Sequence, residues 1–434
     1  MTAAQVLCST SQVAAIFYVD LARVIATLES CIPPCACTHR VGLGVGRVRV
    51  SSKNVRLPND GGVSLAMPTL RTQSHQDAVL ASTENERPVG RFRPPDNPKL
   101  AVVISCYNYE VFVGDAIQSV LGQGREDCEI VVVDDGSTDG SWDVIRRSGV
   151  PAFKIANGGQ VRACLYGLDQ TRAPFVLFLD ADDELKPGAI GVIIDRLDPQ
   201  VAKLQFSLTR IDEAGATTGE AHSSLDAFRS REALVRKVLR TGVYKSPPTS
   251  GNVFRRDLCE LVRKASYDEA IDGVMLFAAP FLGDVVSISE PLGCYRIHRS
   301  NKSGLGRAPE VAIFKRDITR FLARMEHLRA IIRPYGRDQE LTDPTKVFYF
   351  RELSFALTIA SGQRPRLREF AGLLHTLVSE SFSAKNKLAL AAFYLLGSLL
   401  PNDKAKALLA YRFGSRRRSM PGFMAEIFAP RTQA

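Results

Sequence analysis

The 434-residue sequence lacks the features that define several large protein classes. Its most apolar stretch, residues 388–400, is 13 residues long, well short of the ~20 apolar residues that a membrane-spanning helix needs. The nine cysteines follow no regular spacing, which argues against a disulfide framework and favours reduced thiols. No G-x-G-x-x-G motif follows the first apolar run, which argues against a nicotinamide dehydrogenase.

Composition and charge indicate a globular protein with a basic C-terminal part. Hydrophobic residues make up 45% of the chain and charged residues 24%, and the length allows more than one domain. Residues 306–434 contain 22 Lys and Arg against 11 Asp and Glu, which accounts for the whole net charge of +10. Residues 1–305 are therefore near neutral.

The first 97 residues predict a weakly ordered extension or linker. Residues 51–97 are rich in Ser, Asn, Gly and Pro, a composition that cannot bury much apolar surface. The apolar segment 13–19 has no basic region before it and is followed by Asp20, unlike a secretory signal. We therefore expect a cytoplasmic protein.

Two clusters of carboxylates each follow a short apolar run. Such runs, rich in Val, Leu and Phe, are typical of fully buried strands. Both end abruptly at acids: Asp134 and Asp135 after residues 130–133, and Asp180, Asp182 and Asp183 after residues 175–179. A similar run at 100–104 predicts a strand before them.

Helical patterns separate these strands. Apolar residues recur at helical spacing in Val113–Leu121 and again after Gln160. Strands that alternate with helices predict βαβ units, an α/β fold and a largely parallel sheet. Because ligands of such sheets bind outside the carboxyl ends of the strands, both acid clusters are expected to face one crevice.

The second acid cluster suits a divalent cation. Asp180, Asp182 and Asp183 offer hard oxygen ligands of the kind that Mg²⁺ or Mn²⁺ accepts. Three carboxylates at a buried strand end repel one another, and a cation would offset that repulsion. The alternative is that these acids begin a helix at Pro187.

The first acid cluster suits a nucleoside. Asp134 and Asp135 can accept hydrogen bonds from a base and a ribose, although they can also turn the chain and cap the next helix. Ser105, Tyr107 and Asn108 follow the first strand, where they can stack on a base and bind a ribose, or form a plain strand-to-helix turn.

A glycine pair precedes the helix that begins near residue 160. Gly159 permits close approach of the backbone, and Gln160 and Arg162 lie in the first turn of that helix. A helix N-terminus with an arginine favours an anion. A simple left-handed turn is the alternative interpretation.

Seven segments resemble, in order and spacing, family 2 glycosyltransferases of the GT-A fold. The resemblance covers about 100 to 303, roughly half of the chain, and several motifs in order are far more specific than one alone. The segments are VVISCYN at 102–108, VVVDDGSTD at 131–139, NGGQ at 157–160, FLDADD at 178–183, TSGNVFRR at 249–256, DEAID at 268–272 and YRIH at 295–298.

The resemblance implies an inverting, metal-assisted enzyme that moves a sugar from a nucleotide-diphosphate sugar to a hydroxyl acceptor, in polysaccharide or cell-surface glycan synthesis. It implies a Rossmann-like GT-A domain at 98–305, with a mixed, mostly parallel sheet flanked by helices. In the family the second acid of the Asp134-Asp135 pair contacts uracil, which implies a UDP-sugar. The donor-binding set is then Ser105, Tyr107, Asn108, Asp134, Asp135, Gly159, Gln160, Arg162, Asp180, Ala181 and Asp182.

The resemblance also assigns a general base. Asp272 matches the position at which inverting members carry the carboxylate that deprotonates the acceptor hydroxyl. Asp268 is the fallback. Because Asp272 begins an apolar helical pattern, it can equally be a helix N-cap.

Basic residues follow the last predicted strand of this domain, 285–288, and a predicted turn at 290–293. His298 can complete the metal shell with Asp182 and Asp183, or be purely structural. Arg296, Arg299 or Lys302 can bind a diphosphate from a mobile loop.

Residues 306–434 predict a basic helical region. One helix ends before Pro334, and others are expected at about 345–360, 365–380 and 384–412. An apolar helix followed by basic residues suggests peripheral docking on an anionic membrane surface, near saccharide or lipid-linked acceptors. An ordinary helical subdomain is the alternative, and nucleic acid is disfavoured because aromatic residues are not interleaved with the basic ones.

Two other functions remain open from the residues alone. A strand that ends in Asp180-Ala-Asp182 also resembles the nucleophile motif of haloacid-dehalogenase phosphohydrolases, although that class has no use for Asp134 and Asp135. A non-catalytic protein that binds nucleotide sugars is the second alternative.

Overall fold

A computed structural model describes residues 95–221, 225–298, 301 and 310–414. All of them belong to one compact unit. The predictions for residues 1–94, including the weakly ordered extension, and for Arg299 and Lys302 fall outside the described residues.

The described residues form ten strands. They are β1 (Leu100–Cys106), β2 (Cys128–Asp134), β3 (Ala152–Lys154), β4 (Phe175–Asp180), β5 (Glu184–Leu185), β6 (Val201–Ile211), β7 (Thr217–Ala221), β8 (Phe228–Ser230), β9 (Asn252–Arg255) and β10 (Asp284–Arg296).

Twelve α-helices accompany the strands in the described part of the chain. They are α1 (Val113–Leu121), α2 (Ser141–Ser148), α3 (Gln160–Asp169), α4 (Ala189–Ile194), α5 (Glu232–Thr241), α6 (Arg256–Cys259), α7 (Gly273–Leu282), α8 (Val311–Ile332), α9 (Phe348–Ala360), α10 (Leu367–Val378), α11 (Ala384–Leu399) and α12 (Asn402–Gly414).

The strands join in one sheet of order β3-β2-β1-β4-β9-β6-β10-β5, with β7 beside β6 and β8 beside β10. The longest ladders are parallel: β1 with β2 and β4, and β6 with β10. Strand β9 runs antiparallel between β4 and β6, which makes the sheet mixed. The predicted GT-A type α/β fold, with a mixed, mostly parallel sheet flanked by helices and a helical C-terminal region, is confirmed.

The apolar residues of β1 explain why helices cover both faces of the sheet. Leu100, Val102 and Ile104 pack in one core with α1, whereas Ala101 and Val103 pack in a second core with α3. Alternate residues of a strand point to opposite faces, so a continuous apolar run needs cover on both sides. This burial fixes the sheet edge at which β1, β2 and β4 end.

Helix α3 lies close to the sheet because Gly167 has no side chain. A Cβ at this position would lie 2.5 Å from Val103 Cγ1. The close packing sets the position of the N-terminus of α3, at Gln160, relative to the ends of the strands.

The predicted turn at 290–293 is wrong, because β10 continues through it to Arg296. The pairing of β10 with β6 shifts register between Ile288 and Pro291 and again between Pro291 and Gly293. Proline cannot donate to a ladder and is tolerated at such bulges. Arg296 therefore lies in a strand rather than in the loop that the sequence suggested.

The C-terminal region is helical as predicted, but the helix expected at 384–412 is two helices. Helix α11 ends at Leu399 and α12 begins at Asn402, with Pro401 between them. Proline disfavours helical geometry in the residue before it, which ends the first helix. Within the described part of the chain, none of the helices combines the length and the apolar character that crossing a membrane requires. The domain boundary near 305 stays a prediction.

Candidate active site

The strand register brings the two acid clusters to the same edge of the sheet. Ser105, near the end of β1, pairs with Asp180 of β4. The next residue, Cys106, pairs with Asp134 of β2 on the other side. Because adjacent strands lie about 5 Å apart, the acids that end β2 and β4 flank the end of β1.

Asp134 and Asp135 are both buried and have different partners. Asp134 Oδ1 accepts a hydrogen bond of 2.7 Å from the Ser137 amide, whereas its buried Oδ2 has no hydrogen-bond partner. Asp135 accepts from two successive backbone amides, those of Gly158 at 2.8 Å and Gly159 at 2.7 Å. Asp135 thus holds the loop before α3, and turning the chain explains only part of this pair.

Asn108 connects the loops that follow β1 and β2. Its side-chain Oδ1 accepts from the Thr138 amide at 2.8 Å, and its own amide donates to Ser137 Oγ at 2.9 Å. Asn108 also adopts a positive φ of 59°, a conformation that asparagine tolerates better than most residues. Tyr107 beside it is 38% exposed, so its ring is available to a ligand.

The loop before α3 places only one of its predicted side chains on the acids. Gln160 Nε2 donates to Asp180 Oδ1 at 2.7 Å. The Arg162 guanidinium turns back, donates to the Ala156 carbonyl at 3.3 Å and covers Gly158. Gly159 has a φ of 88°, which glycine adopts without strain.

Asp180, Asp182 and Asp183 form a compact set of oxygens. One carboxylate oxygen from each residue lies within 4.8 Å of the others. Ala181 between them is buried in the core, which leaves its backbone as the part that can face a ligand. The predicted grouping of these three carboxylates is therefore present in the structure.

Asp183 has the features expected of a ligand to a cation. Its side chain is buried, Oδ1 accepts from the Arg296 amide at 2.9 Å, and Oδ2 has no hydrogen-bond partner. Burial, followed by the charges of Asp182 and Asp180, raises the pKa of the Asp183 carboxyl well above its ordinary value. An unpaired oxygen among three crowded acids fits Mg²⁺ or Mn²⁺.

His298 lies beside this set of carboxylates. His298 Nε2 is 2.9 Å from Asp182 Oδ2, and the imidazole ring packs edge to face against Tyr109. The same Asp182 oxygen accepts from Asn301 Nδ2 at 3.5 Å. His298 thus contacts one predicted metal ligand directly, and its own role as a ligand stays a prediction.

Arg296 is a structural residue rather than a diphosphate clamp. Its side chain is 2% exposed and forms an ion pair with Glu184. Arg296 Nε donates to the Asp182 carbonyl at 3.0 Å, and the guanidinium stacks on Phe112 at 4.9 Å. These contacts fix the Asp182–Glu184 segment and use the donors that a diphosphate would need.

Asp272 occupies the N-cap position of α7, but its side chain makes no capping hydrogen bond. The residue is buried, and Oδ2 accepts from Thr249 Oγ1 at 3.3 Å. Burial raises the pKa of the Asp272 carboxyl above its ordinary value, although the charges of Arg324 and Lys203 lower it. A buried carboxylate that does not cap its helix is suited to accept a proton.

The fallback residue, Asp268, is fully engaged with α8. Asp268 Oδ1 accepts from Arg320 Nη2 at 2.6 Å and from Arg324 Nη2 at 2.9 Å. Burial raises the pKa of the Asp268 carboxyl, but the hydrogen bonds and charges of the two arginines lower it below its ordinary value. Asp268 is therefore an ion-pair partner and a poor proton acceptor.

Hydrogen bonds link three acids that are far apart in sequence. The Gly159–Gln160 dipeptide donates to Asp135 from the Gly159 amide and to Asp180 from the Gln160 side chain. The Thr249–Ser250 dipeptide accepts from the Asp180 amide at Ser250 Oγ and donates to Asp272 from Thr249 Oγ1. Asp135, Asp180 and Asp272 are therefore joined through two short segments.

Part of the chain matches a known protein family. Residues 101–259 match the family described as Glycosyl transferase family 2. The matched region, residues 101–259, belongs to this family. The matched region contains β2 to β4, all of β1 but Leu100, both acid clusters and the Thr249–Cys259 segment.

Two curated relatives and one solved structure are similar to this chain. An uncharacterized glycosyltransferase of Nostoc sp. is 37% identical over 215 residues, covering 47% of this chain and 66% of the relative. The GalNAc(5)-diNAcBac-PP-undecaprenol beta-1,3-glucosyltransferase of Campylobacter jejuni is 31% identical over 134 residues, covering 28% and 42%. S. aureus TarS 1–349 in complex with UDP-GlcNAc has 16% identity and a TM-score of 0.43, covering 74% of this chain and 93% of that one. The chain spans less than two thirds of the length of these two curated relatives.

Two hydroxyl residues of the matched region have contacts that the sequence did not predict. Thr249 donates to Asp272, and the adjacent Ser250 Oγ accepts from the Asp180 amide at 3.1 Å. Both residues lie in the TSGNVFRR segment of the resemblance, which was the available signal. The structure shows that it connects Asp272 with the end of β4 at Asp180.

Proposed function

We propose that this chain is a metal-assisted, inverting glycosyltransferase of the hexosyltransferase type that uses a UDP-sugar and a hydroxyl acceptor. The observation that supports the proposal is that hydrogen bonds through the Gly159–Gln160 and Thr249–Ser250 dipeptides join Asp135, Asp180 and Asp272, and that Asp180 belongs to the compact set of three acids. An activated sugar needs contacts to its base, to its diphosphate and to the acceptor oxygen. We assign one of these acids to each contact: Asp135 to the base, Asp180 and its neighbours to the diphosphate through a cation, and Asp272 to the acceptor oxygen.

The nucleoside would occupy the crevice between the ends of β1 and β2. The Asp135 carboxylate is held by the Gly158 and Gly159 amides, which fixes it in place for a uracil N–H donor. The unpaired Asp134 Oδ2 and the exposed ring of Tyr107 supply a further acceptor and a stacking surface. The Gly159–Gln160 backbone at the N-terminus of α3 lies next to this place and favours the diphosphate.

Asp182 and Asp183 would hold the cation, with Asp180 and His298 beside them. A bound Mg²⁺ or Mn²⁺ would neutralise the negative charge of the departing diphosphate. Gln160 holds Asp180 by its amide, and Arg296 holds the Asp182–Glu184 segment from below. These residues orient the acids before a donor arrives.

Asp272 would act as the general base. Its ionised carboxylate takes the proton of the acceptor hydroxyl while that oxygen attacks the anomeric carbon, opposite to the departing nucleotide. The anomeric configuration inverts, and no covalent enzyme intermediate forms. Burial of Asp272 supports this role because it raises the basicity of the carboxylate.

The acceptor belongs to cell-envelope or surface glycan synthesis in this proposal. The Campylobacter relative is described as acting on an undecaprenol-diphosphate-linked glycan, which supports a lipid-linked saccharide acceptor. Three leucines on one face of α11 are exposed, Leu388 by 51%, Leu395 by 44% and Leu399 by 63%. We propose that this face and the basic residues around it contact an anionic membrane surface on its cytoplasmic side.

A thermal-shift panel of nucleotide sugars tests the proposed function. UDP-sugars should raise the melting temperature only when Mn²⁺ or Mg²⁺ is present, and GDP-sugars should not. The matched control is the same panel with EDTA. If no member of the panel shifts the melting temperature, the donor assignment is overturned. Trapping of Asp180 by beryllofluoride would instead indicate the phosphohydrolase.

A further inference from the structure

We propose that Arg324 of α8 is a positioning residue for Asp272, through which the C-terminal helical region sets the geometry of the base. This inference rests on the proposed function, because it concerns the same general base. It concerns a residue more than 50 positions away from Asp272, outside the region that matches the family.

Two arginines of α8 hold the segment that leads to Asp272. Arg320 and Arg324, one helical turn apart, both bind the Asp268 carboxylate. The Asp268 side chain is 1% exposed, and those of Arg320 and Arg324 are 19% and 18% exposed. The pairs are thus shielded from water, where ion pairs resist rearrangement more than surface pairs do.

The Arg324–Asp268 pair rests directly against the backbone next to the base. A Cβ at Gly273 would lie 2.0 Å from Asp268 Oδ2 and 2.8 Å from Arg324 Nη2. Gly273 is the first residue of α7, and Asp272 is its N-cap. A movement of the ion pair would therefore move the backbone that carries Asp272.

Arg324 also acts on Asp272 by its charge. The charged groups that face Asp272 come from three elements: Arg324 from α8, Lys203 from β6 and Asp268 from the preceding segment. Burial raises the pKa of Asp272, the two cations lower it and Asp268 raises it, while the Thr249 hydroxyl lowers it by a hydrogen bond. Of the two cations, Arg324 lowers the pKa of Asp272 more.

Arg320 provides a matched control. It binds Asp268 Oδ1, as Arg324 Nη2 does, has nearly the same exposure and lies on the same helix. The two arginines differ in their distance from the backbone next to Asp272, because the three atoms nearest to a Cβ at Gly273 include Arg324 Nη2 and no atom of Arg320. Loss of Arg320 should therefore weaken the same ion-pair cluster without changing the electrostatic environment of the base.

The test compares Arg324→Gln, Arg324→Lys and Arg320→Gln in the full chain, with sugar transfer measured against pH. Arg324→Gln should lower kcat about tenfold, with donor KM within about twofold, because the base rather than the donor site is disturbed. The acid limb of the pH profile of transfer by Arg324→Gln should move up by about one pH unit, because a cation near Asp272 has been lost. Arg324→Lys should return the limb toward its original position, and Arg320→Gln should leave it in place.

An unmoved acid limb in Arg324→Gln, or an equal movement in Arg320→Gln, would overturn the positioning role. Far-UV circular dichroism checks that each variant folds. Should Arg324→Gln not fold, Arg324→Lys against Arg320→Lys replaces it, and only the former should lower kcat. Failure of the proposed function is distinct from these outcomes, because the unsubstituted protein would then show no transfer with any donor.

Discussion

Thr249 Oγ1 donates a hydrogen bond of 3.3 Å to Asp272 Oδ2, across 23 positions of sequence. The next residue, Ser250, accepts from the Asp180 amide at 3.1 Å. One dipeptide thus contacts the candidate base and the strand end that carries the candidate metal ligands. The two halves of the proposed reaction, proton removal and departure of the nucleotide, are mechanically connected through it.

Substitution of Thr249 by valine should weaken transfer modestly. Valine has the shape of threonine but cannot donate to Asp272, and a hydrogen bond of this kind contributes about 1 kcal/mol. We expect kcat to fall about fivefold, with unchanged donor affinity. Thr358→Val, which removes a hydroxyl bound to a helix carbonyl in α9, is the control and should transfer at the normal rate.

Substitution of Asp272 by asparagine should separate donor binding from transfer. The amide keeps the size of the carboxylate but cannot take a proton, so transfer should fall by about three orders of magnitude. Donor binding, measured by calorimetry in the presence of Mn²⁺, should persist. Equal transfer by Asp272→Asn and the unsubstituted protein would favour a protein that binds nucleotide sugars without catalysis.

The pH dependence of transfer should report the burial of Asp272. The base acts only when ionised, so kcat/KM should fall as the pH drops through the pKa of Asp272, which burial raises above its ordinary value. The raised pKa also means that ionisation of Asp272 costs folding free energy as the pH rises. Asp272→Asn should therefore have a higher melting temperature at neutral pH, and a lower one would contradict this account.

The crowded charges at Asp183 predict that Asp183→Asn stabilises the metal-free protein but weakens its stabilisation by metal. Asp183→Asn removes a buried charge beside Asp180 and Asp182, so the metal-free protein should melt at a higher temperature. The rise in melting temperature on adding Mn²⁺ should shrink, because a ligand has been lost. Asp143→Asn, at an exposed ion pair with Arg146, should change neither value. An undiminished metal response would remove Asp183 from the site.

Local patterns in the sequence were enough to predict the part of the fold that forms the site. Apolar runs marked β1, β2 and β4, and the acids that end them marked the functional edge, because burial and alternation act over a few residues. Proline was less informative. Pro291 suggested a turn but lies at a bulge inside β10, since the neighbouring strand β6 holds both sides of it.

The sequence did not predict the ion pairs between residues that are far apart along the chain. Arg296 looked like a free basic residue of a loop, but it is buried against Glu184, which is 112 positions earlier. The Arg324–Asp268 pair spans 56 positions. Such partners leave no periodic pattern, because the geometry that joins them is set by the packing of whole elements. The candidate acids could be named from sequence, whereas the residues that hold them could not.

The close approach at Gly273 gives the most direct stability test of the packing behind the base. An alanine Cβ would meet Asp268 Oδ2 at 2.0 Å, so the ion pair or the start of α7 must move. Overpacking of a buried site costs about 2 kcal/mol, and Gly273→Ala should lose that much stability in urea unfolding.

Gly191→Ala is the control for Gly273→Ala. Gly191 lies within α4, and the nearest atom to its Cβ would be Arg125 Nη1 at 3.9 Å. Alanine should therefore stabilise the protein there by about 0.5–1 kcal/mol, because it restricts the unfolded chain. If Gly273→Ala were equally stabilising, the Arg324–Asp268 pair would be free to shift without consequence. In that case the pair could not hold Asp272 in place.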